Sequence, residues 1–484
     1  MRPSAIWLLP VLLVLSACGS GADDRAASPR APDDFLYAEL DIAMLQQRMA
    51  DGTLDSHTLT RAYLDRIAAI DRAGPSLHAV IETNPDALRE AAARDAERRA
   101  GKLRGPLHGI PVLIKDNIGA TPMVNSAGSL ALRDFRPAHD AFLVRRLREA
   151  GAVILGKTNL SEWANFRSTR SISGWSARGG QTRNPYALDH SPCGSSSGSA
   201  VAVAANLAVV AVGTETDGSI LCPAAVNGIV GLKPTVGLVS RNGILPISFS
   251  QDTAGPMARN VTDAALLLSA VAGRDESDPA TATLPGHAVY DYAARLSPDA
   301  LRGARIGVLH NNLSEAEDIG GVYRHALDAL RDAGATLVDV ALPTDGQWDD
   351  AETTVLLHEF KAGLERYLRQ QHAPVHTLAE LIAFNGQHAG KEMARFDQDL
   401  FERSQATTGL ADPVYIQARA KARQLAGPLG LDATLDAEHL DALVAPTTGA
   451  AWRIDPARGD DFRGAGYGAA AVAGYPSLTV PMGS

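Results

Sequence analysis

Three things are scarce in this sequence: cysteine, basic charge and long apolar runs. Three cysteines in 484 residues are too few for the disulfide framework on which small exported domains rely. Lys and Arg total 45 against 55 Asp and Glu, a formal net charge of −10 with no basic stripe, so we expect no nucleic-acid partner. The one long apolar run, residues 200–212, is interrupted by Asn206 and is shorter than the roughly 20 residues of a membrane-spanning helix.

Metal-ligand spacings are also missing. The histidines form no His-Glu-x-x-His pair, and Cys193 and Cys222 stand 29 residues apart without neighbouring ligands, so we predict no metal and no cofactor. A disulfide between these two cysteines is an alternative in an oxidising compartment, but buried free thiols are the expectation.

The first 18 residues differ in kind from the rest. Arg2 precedes an apolar run at residues 6–15, as in an export signal. Leu15-Ser16-Ala17-Cys18 resembles a bacterial lipoprotein processing site, at which Cys18 becomes the lipidated first residue. An ordinary cleaved signal and an uncleaved short anchor are the alternatives. Residues 19–34 have almost nothing to bury and predict a flexible tether, so we expect a periplasmic protein that contacts the membrane only through a lipid on Cys18.

From Phe35 onward, apolar segments of helical period alternate with short Val, Ile and Leu runs, which predicts an α/β domain with helices covering a sheet. No repeat or second domain boundary is apparent, so residues 35–484 are predicted to form one domain. Residues 275–286 are loop-like, and a surface insertion or cap starting there is an alternative. Predicted helices include residues 58–70, 87–100 and 352–371, predicted strands include residues 110–114, 152–155, 209–212 and 306–309, and residues 200–212 predict a helix followed by a buried strand.

Residues 151–158 match the Gly-x-x-x-x-Gly-Lys-Thr pattern of phosphate-binding loops. The four intervening residues must form a loop whose N–H groups surround phosphate, but here they are Ala-Val-Ile-Leu, a strand sequence. We therefore reject nucleotide binding.

Three short segments carry chemistry. Lys115 directly follows an apolar strand, and a buried lysine has its charged form disfavoured and can act as a base. Ser195 lies in a Gly/Ser run that enters an apolar helix, where N–H groups favour negative charge. Ser219 ends a polar turn after a strand, as an acyl-transfer nucleophile requires. Taken singly, each has an ordinary explanation: a lysine at the sheet edge, a linker and a strand-end turn.

Together the three segments resemble the amidase signature family of serine hydrolases. The family's Ile-Pro-Val-x-x-Lys-Asp segment matches residues 110–116, and its Gly/Ser-rich run matches residues 193–198. Its nucleophile turn ends here at Ser219-Ile220, and the two serines keep the family spacing of 24 residues. The resemblance runs from about residue 58 to the end of the chain. It implies a single large α/β domain with a mixed central sheet covered by helices on both faces.

The resemblance also implies roles for individual residues. Ser219 is the nucleophile, Ser195 is the bridging serine of a cis peptide, and Lys115 is the unprotonated base. The backbone N–H groups of Thr216, Asp217, Gly218 and Ser219 would hold the oxyanion. Asp217 stands where the family has glycine, so its side chain is expected to turn away from the oxyanion. Ser196 is grouped with this substrate and oxyanion site, and Ser196 and Asp116 are also expected to fix the triad by hydrogen bonds.

The Thr-Glu-Thr-Asp-Gly-Ser turn and the following Leu221-Cys222-Pro223 look most like bacterial peptide amidases, which release ammonia from C-terminally amidated peptides. The resemblance therefore implies an enzyme with a small-molecule or peptide amide substrate, and we expect a monomer. Alternatives are a related amidase acting on fatty-acid, aryl or small aliphatic amides, and a catalytically dead binding lipoprotein. A transamidating subunit acting on tRNA is disfavoured by the export signal. Family members continue with another strand and a helix, so we expect either a truncated C-terminal end at Ser484 or a different finish to the sheet edge.

Overall fold

The computed structural model describes residues 35–286, 290–310, 319–464 and 466–483. Contacts divide the chain into two compact units, Met1–Ala38 and Glu39–Ser484. In the first unit only residues 35–38 are described, and the Ala38 N–H donates to the Phe35 carbonyl there (2.9 Å). Cys18 and the predicted tether, residues 19–34, lie outside the described residues.

The strands of the described ranges are β1 (Val80–Thr83), β2 (Pro111–Lys115), β3 (Val153–Thr158), β4 (Trp175–Ser176), β5 (Gly180–Gln181), β6 (Val210–Glu215), β7 (Val230–Lys233), β8 (Thr253–Ala258), β9 (Arg305–Leu309), β10 (Thr336–Val340), β11 (Ala442–Val444) and β12 (Ser477–Thr479). The α-helices are α1 (Ile42–Ala50), α2 (Ser56–Arg66), α3 (Ala87–Arg99), α4 (Phe142–Glu149), α5 (Ser197–Ala204), α6 (Leu221–Val226), α7 (Val261–Val271), α8 (Gly320–Asp332), α9 (Asp349–Gln370), α10 (Leu378–Gln387), α11 (Ala389–Glu392), α12 (Asp399–Gln405), α13 (Pro413–Ala426), α14 (Ala433–Glu438) and α15 (Gly468–Ala473).

The central sheet has seven strands in the order β1-β3-β2-β6-β8-β7-β12. β2 runs parallel to both β3 and β6, and the remaining neighbours pair antiparallel. Every residue of β2, β3, β6 and β8 is buried, as the continuous apolar runs predict for strands covered on both faces. The predicted fold class, a mixed central sheet flanked by helices, is confirmed.

Residues 153–158 are the buried strand β3, so the segment that matches the phosphate-loop pattern is a strand, as predicted. Residues 200–212 likewise form the end of α5 followed by the start of β6. The strand at residues 306–309 exists, but it pairs with β10 and β11 in a separate three-stranded parallel sheet that the sequence did not predict.

The long helix α9 is part of the hydrophobic core rather than a surface appendage. Its Phe360 and Leu364 are fully buried in a cluster with Leu245, Leu378 and Phe401. Residues 275–286 form a loop with one short 3₁₀ turn at Pro279–Thr281, in agreement with their composition. None of the helices within the described ranges has the length and hydropathy that crossing a membrane requires.

Candidate active site

Lys115 is the last residue of β2, and its side chain is fully buried. Its Nζ lies 2.8 Å from Ser195 Oγ and 2.9 Å from Ser196 Oγ. It also lies 2.9 Å from Thr214 Oγ1 and 3.2 Å from the Thr214 carbonyl. These four oxygens are uncharged, so burial lowers the pKa of Lys115 to about 7, against smaller opposing effects of Glu215 and Asp252. A lysine in this state is a competent base near neutral pH.

Ser195 stands just before α5, and the Gly194–Ser195 peptide is cis, in agreement with the resemblance. The Ser196 N–H donates to the Ser219 carbonyl (3.0 Å), which ties the Gly/Ser run to the nucleophile turn. A side chain at Gly194 would overlap Ser161 Oγ, so only glycine fits before the bridging serine.

Ser219 lies between β6 and α6, at the end of a turn in which Gly218 has a φ of 75°. A Cβ at Gly218 would overlap the ring of Tyr467, so both the conformation and the close approach require glycine. Ser219 is 8% exposed and lines two cavities, whereas Ser195 lines only the larger one. The structure thus brings Lys115, Ser195 and Ser219 into one site at the end of β2 and β6.

Glu215 organises the backbone around Ser219. Its Oε2 accepts the N–H groups of Ile220 (2.7 Å) and Leu221 (2.9 Å), the start of α6. Burial raises the pKa of Glu215, against the lowering effects of Lys233 and of the N–H groups around its carboxylate. The oxyanion role of residues 216–219 stays a prediction.

Thr216 and Asp217 differ in their surroundings. Thr216 Oγ1 donates to Asp252 (2.6 Å), and Gln251 reaches the Thr216 carbonyl (3.4 Å). Asp217 is exposed to the smaller cavity and is absent from the lining of the larger one. Desolvation by the surrounding protein, followed by the nearby carboxylates of Glu352 and Glu215, raises the pKa of the Asp217 carboxyl well above its usual range.

Of the two residues expected to support the candidate triad by hydrogen bonds, one does so and the other needs correction. Ser196 is fully buried, accepts a hydrogen bond from Lys115 (2.9 Å) and donates to the Thr214 carbonyl (3.0 Å), as expected for a residue that positions the lysine. It lines neither cavity at Ser219, and its grouping with the substrate and oxyanion site stays a prediction. The Asp116 carboxylate makes no hydrogen bond to Lys115, Ser195 or Ser219. It pairs instead with Lys157 (3.2 Å) and Arg178 (3.3 Å). The side chains of successive strand residues point to opposite faces, and Asp116 directly follows Lys115.

The expectation of free thiols is wrong: Cys193 and Cys222 form a disulfide, with Cα atoms 6.0 Å apart. Cys193 precedes Ser195 by two residues and Cys222 follows Ser219 by three. The bond therefore links the two serine segments beside the site. Since the cysteines stand 29 residues apart in sequence, only the packing of α6 against the Gly/Ser run reveals their proximity.

Sequence reasoning missed Thr214, Asn117, Glu215, Asp252 and Tyr467. Asn117 Nδ2 donates to Thr214 Oγ1 (3.0 Å), which in turn contacts Lys115. Thr214 and Glu215 were visible as polar residues ending a buried strand, a weak signal. Asn117 lies two residues after Lys115, within the same polar strand end, whereas Asp252 and Tyr467 come from distant segments and had no local signal.

Two cavities meet at Ser219. The larger, about 620 Å³, is within the usual range for ligand pockets, and the smaller is about 240 Å³. The larger holds Ser195 and Ser219 at its buried end and Phe249, Arg366 and Arg419 at its exposed end. Within the described ranges no group of three or more His, Cys, Asp or Glu side chains is arranged to hold a metal ion.

Comparison with known proteins agrees with this geometry. The amidase family model matches residues 58–484. A probable amidase of Arabidopsis thaliana is 40% identical over 484 residues, covering 98% of this chain and 89% of that protein. The native peptide amidase from Stenotrophomonas maltophilia is 68% identical with a TM-score of 0.90, over 93% of this chain and 91% of that one. The peptide amidase PAM in complex with the competitive inhibitor chymostatin is 69% identical with a TM-score of 0.91, over 93% and 92% of the two chains. This chain is therefore a member of the amidase signature family, a hydrolase that acts on amides.

Proposed function

We propose that this amidase releases ammonia from C-terminally amidated peptides through a Ser219-Ser195-Lys115 relay. The observation that carries the proposal is the buried Lys115 amine, 2.8 Å from Ser195 Oγ and surrounded by uncharged oxygens. A base with a pKa of about 7 can accept a proton that a lysine of ordinary pKa would already hold.

In the proposed mechanism, neutral Lys115 accepts the Ser195 hydroxyl proton while Ser195 accepts the proton of Ser219. Ser219 Oγ attacks the amide carbon, and the carbonyl electron pair moves to oxygen. When the carbonyl reforms, the C–N bond breaks, and the proton on Lys115 returns through Ser195 to the nitrogen, which leaves as ammonia. Water repeats the same steps on the acyl-enzyme, giving the free acid and regenerating Ser219.

The lining of the larger cavity favours a peptide over a fatty chain. Its wall carries the amides of Asn242 and Gln370 and the guanidinium groups of Arg241 and Arg366, beside apolar residues such as Phe249. A peptide offers amides that can pair with Asn242, Gln370 and Arg366, whereas an aliphatic chain offers these groups no hydrogen-bond partner. The identity of 69% to a peptide amidase supports the same substrate class.

The test measures ammonia release from three substrates: a peptide amide, the matching free acid and a long-chain fatty amide. We expect release from the peptide amide only. Release from the fatty amide alone would favour the rival amidase. Fluorophosphonate labelling in wild type, absent in Ser219→Ala, separates an enzyme from a dead binding protein. Wild-type turnover in Ser219→Ala would contradict the relay.

Export as a periplasmic lipoprotein is a further proposal, based on Leu15-Ser16-Ala17-Cys18 alone. The mass of the mature N-terminus tests it: a lipid on Cys18 supports the proposal, and an unmodified N-terminus at another residue contradicts it. Light scattering on the purified protein tests the predicted monomer.

A further inference from the structure

We propose that Arg366 and Arg419, at the mouth of the larger cavity, make this amidase prefer peptide amides that carry an acidic side chain upstream of the amidated residue. The inference rests on the proposed function, because it concerns the part of a peptide that lies away from the scissile amide.

The two arginines come from different helices and face the same aromatic ring. Arg366 lies on α9 and Arg419 on α13, and both are exposed. Their guanidinium carbons lie 5.7 Å and 5.9 Å from the centre of the Phe249 ring, within the range of a cation–π contact. All three residues line the cavity whose buried end holds Ser219. A peptide with its C-terminal amide at Ser219 would extend toward them.

The arginines of this cavity differ in whether their charge is balanced. Arg241 makes a close ion pair with Asp278, with 2.6 Å between Nη2 and Oδ1 and a second contact of 2.9 Å from Nε. Arg419 Nε lies 3.0 Å from Ser250 Oγ and 3.9 Å from Glu359. In the part of the chain that the structure describes, no carboxylate lies within ion-pair distance of Arg366.

The acidic groups near the mouth already have other partners. Glu359 accepts hydrogen bonds from Tyr415, Ser248 and Ser250. Asp252 is held at the buried end by the Thr216 hydroxyl and the N–H of Ile247. Hydrogen bonds from neutral groups leave the charge of Glu359 in place. Because Asp278 pairs with Arg241 and Glu359 lies 3.9 Å from Arg419, the positive charge at the mouth that is left without a nearby carboxylate among the described residues is that of Arg366.

A peptide carboxylate is the ligand that fits this mouth, since a guanidinium donates paired N–H groups to a carboxylate. The overall negative charge would otherwise repel an acidic peptide, so the local arginines decide the sign of the preference. Both arginines are exposed, and exposed ion pairs correspond to about a two- to fivefold effect each.

The test uses acetylated hexapeptide amides that differ only by Glu, Gln or Lys at the second, third or fourth residue from the amidated end. At low ionic strength we expect kcat/KM for Glu to exceed that for Gln about threefold or more at one position at least, and the ratio to approach one at 0.5 M salt. Arg366→Gln should lower the ratio, and Arg366→Glu should favour the Lys peptide.

Arg369→Gln is the matched control. Arg369 is exposed on the same helix, three residues along, but it pairs with Glu365 (3.5 Å) and does not line the cavity. It should leave the Glu-to-Gln ratio unchanged. Two results overturn this inference while leaving the proposed function intact. One is a Glu-to-Gln ratio of kcat/KM equal to one at every position in the wild-type enzyme. The other is a fall in this ratio that is as large in Arg369→Gln as in Arg366→Gln. Failure to hydrolyse any of the peptide amides, with intact fluorophosphonate labelling, overturns the proposed function and this inference with it.

Discussion

Lys115→Met is the most informative single change, because it removes the amine while keeping a side chain of similar length. The pKa of Lys115 is about 7 in the folded protein, against a reference of 10.5. A lysine whose pKa is lowered by folding holds its proton in the unfolded chain but not in the folded one between these two values. The wild-type free energy of unfolding therefore rises with pH in this window, by up to about 1.4 kcal/mol per pH unit.

From pH 7 to pH 9 this titration amounts to about 2 kcal/mol, because the folded lysine is only half deprotonated at pH 7. Methionine does not titrate, so the wild-type protein should gain about 2 kcal/mol over Lys115→Met across that interval. The substitution also removes the hydrogen bonds that Lys115 donates to Ser195, Ser196 and Thr214, at a cost that does not change with pH.

The assay is urea unfolding of both proteins at pH 7 and pH 9, followed by tryptophan fluorescence. If the free energy of unfolding changed with pH to the same extent in both proteins, a Lys115 pKa near 7 would be refuted. In activity, Lys115→Met should lose about 10²–10⁴ in kcat, and wild-type kcat/KM should rise with pH about a midpoint near 7. Burial also raises the pKa of Glu352 to about 7, so its titration could produce a similar pH profile. Glu352→Gln is therefore the control, and its kcat/KM should still rise with pH about a midpoint near 7.

Three further predictions concern the residues around the nucleophile. Gly218→Ala should lower kcat by about 10²–10³, because the new Cβ overlaps the Tyr467 ring and displaces the N–H groups near Ser219; steady-state kinetics measure this. Glu215→Gln should lower kcat about tenfold with little change in KM, since two N–H groups of α6 lose their charged acceptor. Replacing Cys193 and Cys222 by alanine should lower the free energy of unfolding by roughly 2–4 kcal/mol in urea, because their bond closes a loop with a sequence separation of 29.

The glycine and cysteine predictions each have a control. Gly228 also has a positive φ, but the nearest atom to its added Cβ is Tyr186 Oη at 3.8 Å, so Gly228→Ala tests backbone strain without an overlap near the nucleophile. Equal losses in the two glycine variants would contradict the role of the Tyr467 contact. Wild-type protein treated with a reductant should match the double cysteine variant, and an unchanged unfolding midpoint in both would contradict the stabilising role of the disulfide.

The buried strands and the three catalytic candidates could be predicted from local sequence. Continuous Val, Ile and Leu runs specify β2, β3 and β6, because such runs are stable only when covered on both faces. Lys115 was recognisable at the end of β2, Ser219 in the turn that follows β6 and Ser195 in the Gly/Ser run before α5, in motifs of fixed spacing.

Tertiary structure alone decided which residues complete the site. Thr214 meets the Lys115 amine because β2 pairs in parallel with β6, with Ile114 opposite Val212. Strand order and register are set by packing across the whole sheet, and no short segment of sequence records them. The Cys193–Cys222 bond, the pairing of Asp116 with Lys157 and the burial of Ser196 depend on the same long-range contacts. The sequence by itself therefore determined the family and the candidate reacting groups, while the contacts that support Lys115 and the turn at Ser219 were decided by elements that meet only in the folded chain.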